Sequence, residues 1–245
     1  MNKYFTLVSI TIFLITITLI LYPNFRSTVI TAKTIVAIQP FGEFSSKEAK
    51  IIQEEIAEFY HLEVTVLKPV ELPKNAYINM KSSRYRADTL IRFLRKNMDS
   101  NYNFVIGLTD KDISTTKYSN KSTKKIKEPN YKYADWGIFG LGFMPGESCI
   151  VSTFRLKEKN FRSRFIKICC HELGHNFGLQ HCSDKTCIMQ DAAETIKTID
   201  NVQLNLCNSC KKKVGFHKCL KHIEIFNSSR IYRPISINTM NIIPV

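Results

Sequence analysis

Apolar positions along this chain fall into short runs of two periods, and the alternation of those periods outlines the fold. Thr34 to Ile38 is rich in β-branched residues and alternates weakly, which predicts a first strand. Ser45 or Ser46 then caps a helix reaching about Tyr60, with Ile52, Ile56 and the Phe59/Tyr60 pair on one stripe. Val64, Val66 and Val70 alternate with polar residues over Leu62 to Val70, a second strand that Pro69 confines to an edge or ends early. Arg86 to Met98 reads as an amphipathic helix carrying Leu90, Ile91 and Leu94, and Asn103 to Leu108 as a buried strand. Trp136 to Phe143 is apolar but interrupted by Gly137, Gly140 and Gly142, a pattern of bulges or of close approach by another backbone. Cys149 to Phe154 is the last strand, and Arg162 to Phe177 a helix with Phe165, Ile168 and Cys169 on its apolar side. Leu206 to Phe226 reads as helical with a break near Gly215, and from Asn227 the chain is a polar, irregular tail. This order predicts an α/β fold in which a mixed sheet backs the helix at 162–177.

Two features lie outside that alternation. Phe5 to Tyr22 carries no charge and is long enough for a short membrane helix or a generous signal-peptide core. Thr6, Ser9, Thr11, Thr16 and Thr18 dilute it, and no convincing cleavage site follows. The expectation is an uncleaved membrane anchor over residues 1–26, with a cleaved signal or a buried segment as alternatives, and so a membrane-anchored or exported protein. The balance of Lys3 against Arg26 and Lys33 leaves the orientation open. The second feature is charge. A formal net charge of +14 concentrates in Lys111 to Lys132 and in Lys211 to Lys213. Lysine-rich polar stretches are usually solvated loops, with an anionic membrane surface as the next reading. Nucleic acid is not expected as a partner, because no recognition motif interleaves aromatics with those lysines.

With 44% hydrophobic and 23% charged residues, the composition is that of a globular domain able to bury a core, expected over residues 33–226, with 227–245 as the tail. Its chemistry sits in the run His171-Glu172-Leu173-Gly174-His175-Asn176-Phe177-Gly178-Leu179-Gln180-His181-Cys182. Positions four apart lie on one helical face, so His171 and His175 can grip one ion, with Glu172 beside them in reach of a water. Gly178 lets the backbone leave the helix and brings His181 round as a third ligand. Three protein ligands and an open fourth position define a catalytic zinc site. Cys182 and Cys187, then Cys207 and Cys210, form two short knuckles of the kind that closes a structural zinc site. Disulfides or unrelated buried thiols are the alternatives, and export would favour the disulfides. Cys149, Cys169, Cys170 and Cys219 read as buried thiols.

From His171 to Cys210 the pattern H-E-x-x-H-x-x-G-x-x-H-C-x4-C-x-M-x17-C-x-x-C resembles the signature of the archaemetzincins, with every defined position matched. The resemblance implies a zinc metallopeptidase acting on a peptide or protein substrate, with two zinc ions per chain. It places the catalytic zinc on His171, His175 and His181, makes Glu172 the general base, and puts the structural zinc on Cys182, Cys187, Cys207 and Cys210. It also implies that Met189 forms the tight turn beneath the catalytic zinc. In metzincins an extended substrate pairs antiparallel with an edge strand that precedes the last strand before the active-site helix; by order this is Trp136 to Phe143, with Gly140 as a substrate-binding position. The competing function is a zinc-stabilised basic interaction module, but such a module has no need of a carboxylate beside two metal ligands. The sequence is silent on oligomeric state.

Overall fold

In a computed structural model, residues 33–120, 122–156, 159–191, 195–215 and 241–244 are described. The expected alternation is present. In chain order the elements are β1 (Ile35–Pro40), α1 (Ser46–Tyr60), β2 (Glu63–Val66), β3 (Tyr77–Asn79), β4 (Ser83–Arg86), α2 (Ala87–Asn97) and β5 (Phe104–Thr109). There follow β6 (Ile113–Thr115), β7 (Tyr118–Asn120), β8 (Lys125–Ile126), α3 (Asn130–Tyr133), β9 (Trp136–Ile138), β10 (Gly140–Met144) and β11 (Ser148–Ser152). The chain continues through α4 (Phe161–Asn176), α5 (Ile196–Asn201), α6 (Asn208–Lys213) and β12 (Asn241–Pro244). Ser45 caps α1 as expected, its hydroxyl accepting from the Glu48 N–H.

The main sheet has six strands in the order β12-β10-β11-β5-β1-β2. Strand β1 pairs parallel with β2 and β5, and β5 parallel with β11. Strand β10 runs antiparallel to both β11 and β12, so the sheet is mixed as predicted. The period-2 alternation sorts its side chains into two cores. Val36, Ile38, Phe104, Ile106 and Leu108 pack with Ile52, Ile56 and Tyr60 of α1 and with Phe165, Ile168 and Leu173 of α4. On the opposite face Ala37, Val105, Ile150, Leu141 and Phe143 pack with Leu90, Ile91 and Leu94 of α2. Strand β2 lies at the sheet edge, as Pro69 required, and ends at Val66.

Three expectations need correction. The lysine-rich stretch is not all loop: buried β6 belongs to a second sheet of order β3-β4-β6-β9, and β7 and β8 form a hairpin. Lys117 lies 4.5 Å over the Trp136 ring and Lys127 4.9 Å over Tyr133, so these lysines are partnered by aromatic faces. The run Trp136 to Phe143 is two strands, β9 in the small sheet and β10 in the large one, separating at Phe139. Within the expected polar tail, Asn241–Pro244 forms β12 on the edge of β10.

The membrane reading is also corrected. No helix among the described residues is long and apolar enough to cross a membrane. The run Phe5 to Tyr22, on which the anchor and the membrane-bound or exported location rested, lies outside the described residues, and its five hydroxyl side chains already weakened it. Cys219, the part of the expected helix beyond Gly215, and residues 227–240 of the tail also lie outside them.

Candidate metal centres and active site

Helix α4 positions the first part of the site. One turn separates His171 from His175, and their ring centroids lie 4.6 Å apart. The helix ends at Asn176, and Gly178, with φ of 88°, turns the chain back through the left-handed region. His181 therefore returns beside the pair, its ring centroid 5.4 Å from that of His171 and 5.0 Å from that of His175. One ligand atom from each of the three lies within 4.8 Å of the others.

Backbone carbonyls orient two of these rings. The Nδ1 of His171 is 2.7 Å from the Ile188 carbonyl oxygen, and the Nδ1 of His175 is 2.7 Å from that of Leu179. A carbonyl only accepts, so Nδ1 carries the proton and Nε2 keeps the lone pair a metal needs. The Nδ1 of His181 faces Asp191 at 3.4 Å. Burial lowers the His171 pKa to about 4, so its imidazole is neutral at pH 7, the form that ligates.

Glu172 is wholly buried, and neither carboxylate oxygen has a hydrogen-bond partner among the described residues. The buried Nε2 of His171 also lacks one. Buried polar atoms without partners cost about 1–3 kcal/mol each, and in a native site they call for an ion or water. Burial raises the Glu172 pKa, and a cation held by the three imidazoles beside it would draw it back towards the ionised form. Three imidazoles with a carboxyl alongside form a donor set that suits zinc.

Glycines bring the neighbours this close. In β10, Leu141 and Phe143 face α2, so Gly140 and Gly142 face α4. A Cβ on Gly140 would lie 2.7 Å from Cγ and Oε1 of Glu172, and one on Gly142 would lie 2.9 Å from the Glu172 carbonyl oxygen. The bare α-carbon of Gly140 thus makes room for the Glu172 side chain. Gly174 does the same for Met189, whose sulfur would lie 2.5 Å from a Cβ there. Met189 is fully buried, and its carbonyl accepts from the Cys182 N–H at 2.8 Å.

Two positioning residues escaped the sequence reading. Asn176 donates from Nδ2 to the carbonyls of Phe143 and Ser148, both at 2.9 Å, and ties α4 to both strands of the β10–β11 hairpin beside its turn. A polar side chain at an inward helical position, between His175 and Phe177, was the available signal. The Tyr60 hydroxyl donates to the Cys170 carbonyl at 2.6 Å and ties α1 to the ligand helix.

All four predicted knuckle cysteines come together. Cys182 Sγ is 3.7 Å from Cys207 Sγ, and Cys187 Sγ is 3.8 Å from Cys210 Sγ. A disulfide needs about 2.05 Å, whereas thiolates set tetrahedrally about 2.3 Å from zinc stand about 3.8 Å apart. The cysteines among the described residues are free, which removes the disulfide alternative there. The hydrogen bond with Cys210 lowers the Cys187 pKa to about 5, while Cys210 is pushed up, so the cluster favours thiolate at one sulfur. A cavity of about 440 Å³ lies beside this cluster and is also lined by His181 and Lys213.

Comparison with known proteins agrees with this geometry. The model of peptidase family M54 matches residues 44–215, a span that begins beyond the apolar N-terminal run. The archaemetzincin of Haloarcula marismortui is 28% identical over 191 residues, covering 73% of this chain and 98% of the relative. That of Methanopyrus kandleri is 29% identical over 161 residues, covering 64% of this chain and 81% of the relative. The crystal structure of the Methanopyrus kandleri archaemetzincin superposes with a TM-score of 0.60 at 27% identity, covering 78% of this chain and 97% of that one. The archaemetzincin structure from Archaeoglobus fulgidus shares the fold, with a TM-score of 0.57 at 24% identity over 74% of this chain and 99% of that one.

Proposed function

Because this chain belongs to peptidase family M54, the archaemetzincin zinc metallopeptidases, we propose that Glu172 is its general base and that it carries two zinc ions. One is catalytic, held by His171, His175 and His181. The other is structural, held by Cys182, Cys187, Cys207 and Cys210. The observation that carries this reading is the convergence of three imidazoles on one point beside a buried carboxyl whose oxygens have no hydrogen-bond partner. Zinc held there by His171, His175 and His181 would supply Lewis acidity, lowering the pKa of a water to about 7 and polarising the substrate carbonyl.

The chain's own groups do the rest. Glu172, as the carboxylate, takes a proton at one oxygen from the water whose oxygen bonds to the substrate carbonyl carbon, and gives it to the amine nitrogen as the C–N bond breaks. Carbonyls of Ile188 and Leu179 hold the tautomers of His171 and His175, and Met189 fills the space beneath α4 that Gly174 leaves. An extended substrate lies antiparallel along β10, where Gly140 keeps Glu172 seated beside it. The cysteine cluster fixes the segment that returns His181 to the site. A binding module leaves the Glu172 carboxyl without a task, so hydrolysis is the better account.

Glu172→Gln tests the assignment. The amide keeps the shape and does not touch the ligand set, so zinc content and melting temperature should match the unmodified protein. Peptide hydrolysis should fall by about 10²–10⁴. Turnover at the unmodified rate by the zinc-replete variant would remove Glu172 from the mechanism.

A further inference from the structure

The edge of β10 that a substrate would use is already covered. Strand β12 pairs with it antiparallel, matching Leu141 with Pro244, Gly142 with Ile243, Phe143 with Ile242 and Met144 with Asn241. This is the direction in which an added peptide strand runs in the proposed function. The pairing places β12 alongside residues 141–144 of β10, among which Gly142 abuts Glu172 and His175, with Gly140 one residue beyond. Glu172 and His175 are wholly buried. The element on the edge of β10 beside these residues belongs to the same chain.

We propose that residues 241–244 act as a self-occluding strand, which occupies the β10 edge in place of an extended peptide and must leave before a substrate can bind. The inference rests on the peptidase reading for what the edge receives, but not for the pairing itself. Main-chain ladders give strand addition its affinity without demanding a particular sequence, so the chain's own segment and a substrate compete for the same backbone groups. Covalent attachment makes docking intramolecular, at an effective concentration of the order of millimolar. Pro244 fits the role: proline has no N–H to give and is tolerated on an outermost strand, where it discourages a further strand from adding outside. If the strand is docked about nine-tenths of the time, the apparent KM for a peptide rises about tenfold, because only the undocked fraction binds.

The test compares the full chain, loaded with zinc, with a variant lacking residues 241–245. Two readouts are needed: peptide hydrolysis, and amide hydrogen exchange over residues 140–144. The truncated protein should show a KM about tenfold lower at similar kcat, with faster exchange in β10. A synthetic Asn-Ile-Ile-Pro-Val peptide, added in trans, should inhibit it competitively and slow that exchange again. Ile242→Pro and Ile243→Pro serve if the truncation fails to fold. Alternate residues of an antiparallel strand point their N–H at the partner, so one of the two must lose an inward donor and reproduce the effect. Unchanged KM and unchanged exchange in a folded truncated protein would overturn the proposal. Exchange that responds as expected while no form cleaves any peptide would uphold the docked strand and defeat the peptidase reading instead.

Discussion

At the residue scale, the site depends on side chains that are absent as much as on those present. Gly140 and Gly174 each leave a space that one functional residue fills, Glu172 in the first case and Met189 in the second. Gly140→Val should therefore lower kcat by displacing Glu172, by about tenfold or more, with KM changed much less and zinc content kept. Steady-state kinetics with elemental analysis checks this, and a pure KM effect would return Gly140 to a direct role along the substrate. Asn176 tests the hairpin tie. Asn176→Leu leaves the Phe143 and Ser148 carbonyls without their buried donor, which should cost about 2–4 kcal/mol in denaturant unfolding. The convergence of three histidines and of four cysteines was legible because their spacing is set by helix pitch and knuckle geometry. Asn176 was not legible in that way, because its partners lie about thirty residues away across the β10–β11 hairpin.

At the scale of elements, helices α1, α2 and α4 and strands β1, β5 and β11 were readable within a residue or two, whereas β2 ends four residues before Val70 and β3 and β4 were not foreseen. The Ser45 cap and the edge position of β2 follow directly from Ser45 and Pro69. The division of Trp136 to Phe143 between two sheets was not readable, because hydrophobicity is the same on both sides of Phe139 and only pairing partners distinguish them. Strand β12 was missed for a related reason: four residues are too few to establish a period. The segment after α4 has little regular structure, with α5 and α6 of six residues each, and the cysteine cluster joins its two ends. Cys187→Ser should therefore release one zinc and loosen the segment from His181 to Val214, since a structural metal contributes folding free energy directly. Limited proteolysis should show new cleavage within 181–214, and an unaltered digestion pattern would make the cluster dispensable.

At the scale of the molecule, the M54 match spans α1 to α6, with the ligand helix and both candidate metal groups, while β1 and the apolar N-terminus stand before it and β12 after it. Composition alone made that N-terminus look like an anchor, because an uncharged run is read the same way whether or not it spans a bilayer. The two candidate metal groups among the described residues differ in kind: the histidine set offers three ligand atoms and the cysteine set four. That difference gives the most direct test of the account, which is chelation followed by zinc content and peptide hydrolysis measured on the same samples. Freshly purified protein should contain two zinc ions per chain, and mild chelation should remove one together with all hydrolysis, because an open site exposes its metal and a closed site does not. One equivalent of zinc should then restore the activity. Hydrolysis that survives loss of the first zinc, or that ends only when the cysteine-bound metal leaves, would contradict catalysis at His171, His175 and His181.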